Sequence, residues 1–470
     1  MYSCLDNHFI RAATSDYPSL RDPGPCREEA AVKDTRPALS RRELLAAAAV
    51  APVAAALPAT VTAAAVDPWA QVQRQFAIED GMTYLNVGTY GPSTREVADA
   101  ECRHREAMNR NFGRFFYERL MADDFVRLVD RTAAFVGAER GDIAFTSGAT
   151  ESMSYIAGGL ELAAGDEVLT TTHEHQAGIY PWLLAARRHG ITVRQIPLPT
   201  PIPNADEVLS RFEAAIGPRT RVLSFCHVQY TDGCRLPVRR LCALARDRGL
   251  ISVVDGAQAV GMLAEPVREL GCDLYATSLH KWLCGPYGTG LMVVTEGVRD
   301  RVLPTVVEAH DGWQTGDRFG RDPGEPALDF VGNWPPAMVK YATNLHYYGP
   351  LFAALEPAMD LHEDLGRAEV EARARALARR LRTGLGEIDG LRILSPEPPE
   401  LGTAITSFTV DGLDPRTLRR TLAQQGIVTR YVNHAPFGFE AVRACTHIFN
   451  SEADVDRLVE AVRSLAAGRS

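Results

Sequence analysis

The sequence predicts an α/β protein: a large domain built on a mostly parallel sheet, followed by a smaller α+β domain. Two observations predict it. From about residue 140, short runs rich in β-branched residues alternate with amphipathic helical segments, the pattern of a sheet covered on both faces. Beyond residue 335 this alternation stops, and a long helical stretch gives way to strands and helices in irregular order. At 470 residues, 46% hydrophobic and 23% charged, the chain has ordinary globular composition. Lys and Arg total 50 against 59 Asp and Glu, a formal charge of −9. With no long basic block in the body of the chain, nucleic acid is not an expected partner. The arginine-rich stretch "EARARALARRLR" at 371–382 reads as a solvated helix face.

Residues 1–65 stand apart. "SRRELLAAAAVAPVAAALPATVTAAAV" pairs Arg41 and Arg42, follows them with an apolar run and ends in small residues. These are the parts of a twin-arginine export signal, so engagement of that export machinery and a periplasmic or secreted location are expected. Residues 66–115 form an N-terminal segment, and 116–335 the alternating large domain. In it, "DIAFTSG", "DEVLTTT", "TVRQIPL", "TRVLSFCHV", "LISVVDG" and "CDLYATS" are strands, with "TESMSYIAGGL", "GIYPWLLAARRHG" and "VRRLCALARDRG" as helices between them. Residues 336–470 form the small domain, closed by a helix whose Ser451 and Asp454 make a capping-box start. Of nine cysteines none lies in a C-x-x-C pair, so neither a metal nor a redox site is expected. Several, as in "VLSFCHV", read as buried thiols.

Four polar groups fall at strand ends, where ligands gather in such sheets. "TSGATES" puts Gly148, Ala149 and Thr150 at a strand-to-helix junction suited to a phosphate. "THEHQAGIYPW" puts His175 after a strand. "VVDGAQAVG" ends an apolar strand on Asp255, with Gln258 close behind. "SLHKW" puts Ser278, His280 and Lys281 after the next strand. Each feature alone has an ordinary structural explanation. Together they fit one cofactor, pyridoxal 5′-phosphate. It needs a lysine for its aldehyde, a carboxylate for its pyridine nitrogen, a plane over its ring and a donor for its phenolic oxygen. Its phosphate needs a cradle. Lys281, Asp255, His175, Gln258 and the Gly148–Thr150/Ser278/His280 group fill these roles in turn. Burial would lower the lysine's pKa into a nucleophile's range. Glycines 285, 288 and 290 would let the backbone pass close by.

These motifs resemble class V pyridoxal-phosphate enzymes: the cysteine desulfurases, isopenicillin N epimerases and related aminotransferases. "TYLNVGTYGPSTREV" is similar to their N-terminal substrate loop, with Asn86 and Gly88. "EHQAGIYPW" resembles their ring-stacking histidine motif and "SLHKWLCGPYGTG" their lysine motif. In "VRACTHIFNSEADVDRLVEAV", Arg443 corresponds to the arginine that holds a substrate α-carboxylate. The resemblance implies fold type I, the aspartate aminotransferase-like fold, and a homodimer with sites at the subunit interface. Two departures stand out. In "RYVNHAPFGFE" Ala435 occupies the place of the desulfurases' nucleophilic cysteine, which disfavours persulfide chemistry. In "VGNWPPAM" Asn333 replaces the threonine of a phosphate-binding Gly-Thr pair, and Trp334 stands where an arginine is common. The expected activity is transamination of an amino acid or peptide-linked amine. Epimerisation and C–S β-elimination are alternatives, and a non-catalytic protein keeping the fold is the alternative of another class.

Overall fold

The computed structural model of the chain describes residues 68–115, 123–306, 335–342, 345–434 and 437–468. The export signal, Asn333, Trp334 and Ala435 lie outside these residues. A short strand β1 (Thr83–Tyr84) precedes the large sheet. That sheet comprises β2 (Ile143–Thr146), β3 (Glu167–Thr171), β4 (Thr192–Ile196), β5 (Thr220–Cys226), β6 (Ile251–Asp255), β7 (Leu274–Ser278) and β8 (Gly290–Val294), in the order β2-β8-β7-β6-β5-β3-β4. Only β8 runs antiparallel to its neighbours, β2 and β7. The central strands are buried along their whole length. Helices cover both faces, so these strands read as unbroken apolar runs rather than alternating ones. The edge strand β4 instead exposes Thr192 and Arg194, a charged edge that discourages further pairing.

The small domain carries β9 (Leu391–Ile393), β10 (Ile405–Val410), β11 (Ile427–Val428), β12 (Arg430–His434) and β13 (Phe439–Cys445). Its four-stranded sheet has the order β12-β13-β10-β9, while β11 pairs with β1 in parallel. Helix Glu452–Ala467 packs Val455, Leu458, Val459 and Val462 into the core beneath this sheet. Each such side chain contributes roughly 1.5–3 kcal/mol on burial. The capping box forms as expected: Ser451 Oγ accepts from the Asp454 backbone, and the Asp454 carboxylate accepts from the Ser451 N–H.

Two packing details differ from the sequence reading. The stretch after residue 335 breaks into helices Pro336–Tyr341, Leu345–Ala353 and Glu356–Leu365. Met338, Phe352, Leu355 and Met359 join the large domain's core rather than the small one's. Phe352 stacks on Phe145 of β2 with centroids 4.5 Å apart, so the helical texture crosses the expected boundary at 335/336. The arginine-rich helix Arg367–Gly386 is also less solvated than its composition suggests. Arg382 turns inward to the carbonyls of Thr403 and Ile405, and Arg373 pairs with Glu452. These arginines tie the helix to its own domain.

A separate cluster joins the parts. Val72, Phe76 and Val87 from the N-terminal segment meet Trp282 and Cys284 from the lysine loop and Ile405, Cys445, Ile448 and Phe449 from the small domain. The candidate site sits directly above this junction.

Candidate active site

The carboxyl ends of β2, β3, β5, β6 and β7 open onto one cavity of about 550 Å³. Its wall contains Gly148, Ala149, Thr150, His175, Asp255, Gln258, Ser278, His280, Lys281, Gly88 and Arg443. Asn86 does not line it: its Oδ1 accepts from Arg443 Nη2 at 3.2 Å and from Thr89 Oγ1 at 2.8 Å, behind the wall.

Lys281 explains its own sequence neighbours. Trp282 is fully buried in the junction cluster, and its indole N–H donates to Gln258 Oε1 at 2.8 Å. His280 lies on the other side, its Nδ1 2.9 Å from the Thr289 carbonyl. A carbonyl only accepts, so Nδ1 carries the proton and Nε2 is left for a ligand. Between these two anchored rings Lys281 projects to the cavity, and no protein hydrogen bond reaches its Nζ among the described residues. Burial lowers its pKa to about 8; Asp255 opposes the shift and Arg443 adds to it. The loop also needs close backbone approach. A Cβ on Gly91 would lie 1.9 Å from the Lys281 carbonyl oxygen, and one on Gly290 would lie 2.3 Å from Gly148 Cα. Gly288 reaches the cavity wall. Gly285 does not: it packs on Leu279 and Leu355, so its smallness serves the core instead of the cavity.

Asp255 ends β6 nearly fully buried, with Oδ1 accepting from Ala257 N at 2.9 Å. Burial raises its pKa, and the nearby Lys281 charge pulls the other way. A buried carboxylate facing a cavity is costly without a cationic partner, and a protonated ring nitrogen would supply one. His175 caps helix Gln176–His189, its Nδ1 accepting from Ala177 N at 3.1 Å, which fixes the ring plane. Burial, then Lys281 and Arg443, push its pKa down to about 4, so the ring is neutral. Gln258 ties Nε2 to the Gly88 carbonyl at 2.9 Å, leaving one N–H for the cavity. Helix Ala149–Gly159 starts at Gly148 without a side-chain cap. Ala149 N donates to Ser278 Oγ at 3.1 Å, and the open first turn favours an anion. An open helix start, an unbonded amine and a buried carboxylate therefore fit a pyridoxal phosphate in donor type and in room.

Arg443 is 1% exposed on β13. Its Nη1 donates to the Tyr230 carbonyl at 2.9 Å, and Nη2 to Asn86 Oδ1 and Thr89 Oγ1 at 3.2 Å each. Its Nε has no partner among the described residues.

Sequence reasoning missed several neighbours. Tyr230, Thr89, Tyr90, Tyr287 and Arg430 also line the cavity, and Glu174 lies buried behind it. Glu174 Oε1 accepts from Thr171 Oγ1 at 2.7 Å and from Cys226 N at 3.2 Å. Burial, together with Asp255, pushes its pKa up to about 8, so it holds its proton at neutral pH. For Glu174 a signal existed: an acid at the end of an apolar strand, next to His175.

The class-V aminotransferase family matches residues 96–310 and 350–458. The isopenicillin N epimerase of Amycolatopsis lactamdurans is 33% identical over 409 residues, 85% of this chain and 98% of that protein. The apo cysteine desulfurase of Thermococcus onnurineus NA1 shares the fold at a TM-score of 0.72 and 24% identity, over 85% of this chain and 98% of that one. A structure with glycine covalently linked to its pyridoxal phosphate superposes at a TM-score of 0.70 with 26% identity, over 83% and 98%. With the family's pattern spanning most of its length and a mixed, mostly parallel sheet of fold type I beneath its cavity, this chain belongs to the class-V aminotransferase family.

Proposed function

We propose that this protein is a pyridoxal-phosphate enzyme that removes and returns the proton on the α-carbon of an amino acid or peptide-linked amine. The convergence of Lys281, Asp255 and His175 on one cavity carries the reading. The cofactor, when bound, supplies an electron sink for the bond being broken. Lys281, with its pKa near 8, is available as a neutral amine close to physiological pH and moves the α-proton. Asp255 holds a proton on the ring nitrogen. His175 covers the ring and excludes water from that face. The first turn at Gly148, with Ser278 and His280, binds the phosphate. Arg443, which lines the cavity, takes the substrate carboxylate.

The finer activity is drawn from a narrower observation. The sequence reading put transamination first. Likeness to an isopenicillin N epimerase over 98% of that protein's length favours epimerisation, which needs a second acid–base group besides Lys281. Tyr230 is placed to serve. It lines the cavity with Lys281, and its ring meets His175 edge-on at 4.9 Å. Its hydroxyl makes no hydrogen bond among the described residues. Desulfurase chemistry is not proposed: Ala435 stands in the expected cysteine position, and burial keeps the nearby Cys445 thiol protonated. Incubation of single amino-acid enantiomers in heavy water tests the activity. Deuterium uptake with loss of optical rotation supports epimerisation. Keto-acid formation returns the reading to transamination, and thiol release to a lyase. No turnover of any amine favours the non-catalytic alternative.

We propose export and dimerisation as well. The arginine pair at 41 and 42 directs twin-arginine export, and replacing both with lysine traps the protein in the cytoplasm; unchanged secretion refutes it. The protein works as a homodimer, which sedimentation of the holoenzyme checks.

A further inference from the structure

Two buried acids meet behind the cavity. β6, β5 and β3 lie side by side in the large sheet. Cys226 ends β5 directly beside Asp255 at the end of β6, and Glu174 follows the end of β3. Glu174 reaches over to β5, where its Oε1 accepts from Cys226 N at 3.2 Å, while Thr171 Oγ1 donates to the same oxygen at 2.7 Å. Asp255 likewise uses Oδ1 on Ala257 N at 2.9 Å. The two remaining oxygens border one methyl-sized space in the first turn of helix Gln176–His189. A Cβ built on Gly178 would lie 3.3 Å from Asp255 Oδ2 and 3.4 Å from Glu174 Oε2. Glu174 is 3% exposed and Asp255 5%.

Two carboxyls this close and out of water do not both ionise near neutral pH. The other titratable groups around Glu174 bring no cation to it. Burial holds the Cys226 thiol and the Tyr230 phenol in their neutral forms, and the His175 ring is neutral as well. The two acids differ in their charged neighbours. Lys281 draws Asp255 towards its anion, whereas Asp255 pushes Glu174 towards its acid. Asp255 also lines the cavity, where a cationic ring nitrogen would meet it, and Glu174 stands behind.

We propose that Glu174 is a positioning residue for the ring nitrogen's partner: a neutral acid paired with Asp255, which limits the pair to one negative charge and leaves that charge on the carboxyl facing the cofactor. One buried anion then meets one ring cation, with no second charge left uncompensated. The inference rests on the proposed role of Asp255, and its test separates the two.

The test is infrared spectroscopy of the full chain, stripped of cofactor, across a pH series. A protonated-carboxyl band is expected at neutral pH, lost in Glu174→Gln and fading in the wild type with a midpoint near 8. Asp232, whose pKa burial pushes up to about 7, has a band of its own, which the comparison with Glu174→Gln subtracts. Asp255→Asn should lower the Glu174 midpoint by about one pH unit or more, the mark of a coupled pair. On cofactor loading, Glu174→Ala should weaken affinity about tenfold, and Glu174→Gln, which keeps the neutral shape, should restore it to within about threefold of wild type. Identical spectra for wild type and Glu174→Gln at neutral pH mean that Glu174 is ionised and overturn the proposal. A midpoint that does not move in Asp255→Asn overturns it too, as does a Glu174→Gln variant that loses cofactor as badly as Glu174→Ala. The underlying reading fails differently: nitrogen NMR of isotope-labelled cofactor would show the ring nitrogen still protonated in Asp255→Asn, with the infrared coupling of the two acids intact.

Discussion

The carboxyl edge of the large sheet and the strand pair β12–β13 close one cavity from opposite sides, and they are built on different principles. On the large-sheet side every group follows its own strand within a few residues: His175 after β3, Asp255 at the tip of β6, Lys281 after β7. Each is fixed by local capping or by an anchored neighbour, such as Ala177 N on His175 or Trp282 beside Lys281. On the small-domain side nothing is local. Arg443 is held by residues 213 and 357 positions away in sequence, and Arg430 meets it only through strand register. The first side is suited to chemistry that is the same for any substrate. The second is suited to reading which substrate is present.

That contrast can be broken by substitution. The largest effect is expected at Lys281: Lys281→Ala should lower turnover by roughly 10²–10⁴-fold or more and abolish the cofactor's visible absorbance, while leaving acid binding by Arg443 intact. Asp255→Asn should follow, with kcat down about 10²–10³-fold, as for other lost electrostatic partners, and little change in KM. A dominant KM effect would blur the division. Arg443→Lys should do the reverse, raising KM about 10–100-fold through the lost charge-assisted contact with kcat changed much less. The pH dependence sharpens the picture further. Covalent capture of cofactor by stripped protein needs neutral Lys281, whose pKa is lowered to about 8. Capture should therefore rise about tenfold per pH unit below that value and level off above it, whereas an ordinary lysine keeps gaining to about 10.4. The smallest effect concerns the seam. Gly91→Ala sets a Cβ against the Lys281 carbonyl and should cost about 1–3 kcal/mol of stability in thermal melts. Gly386→Ala, with open space around it, serves as the control.

The same contrast explains what was legible in the sequence. The parallel strands announce themselves as short β-branched runs, and Lys281, Asp255 and His175 sit beside them in plain reading order. Ser451 and Asp454 gave the last helix its start for the same local reason. The antiparallel strand β8 was not read as a strand, because its first residue, Gly290, belongs to the glycine-rich tail of the lysine motif. Helices 336–365 were assigned to the small domain from texture alone. Which core a helix fills depends on contacts such as Phe145 with Phe352, which no local pattern carries. Arg430 and Tyr230 were missed for a related reason. One lies on a strand whose partner register was unknown, and the other in a loop whose phenol meets His175 only after folding.

The central claim is that Lys281 is the amine that holds the cofactor. Borohydride reduction of the loaded protein, followed by protease digestion and peptide mapping, tests it most directly. The account predicts a pyridoxyl mass on the peptide containing Lys281, and its loss in Lys281→Ala. A tag on a different amine, or no tag on a protein that still binds the cofactor, would contradict it.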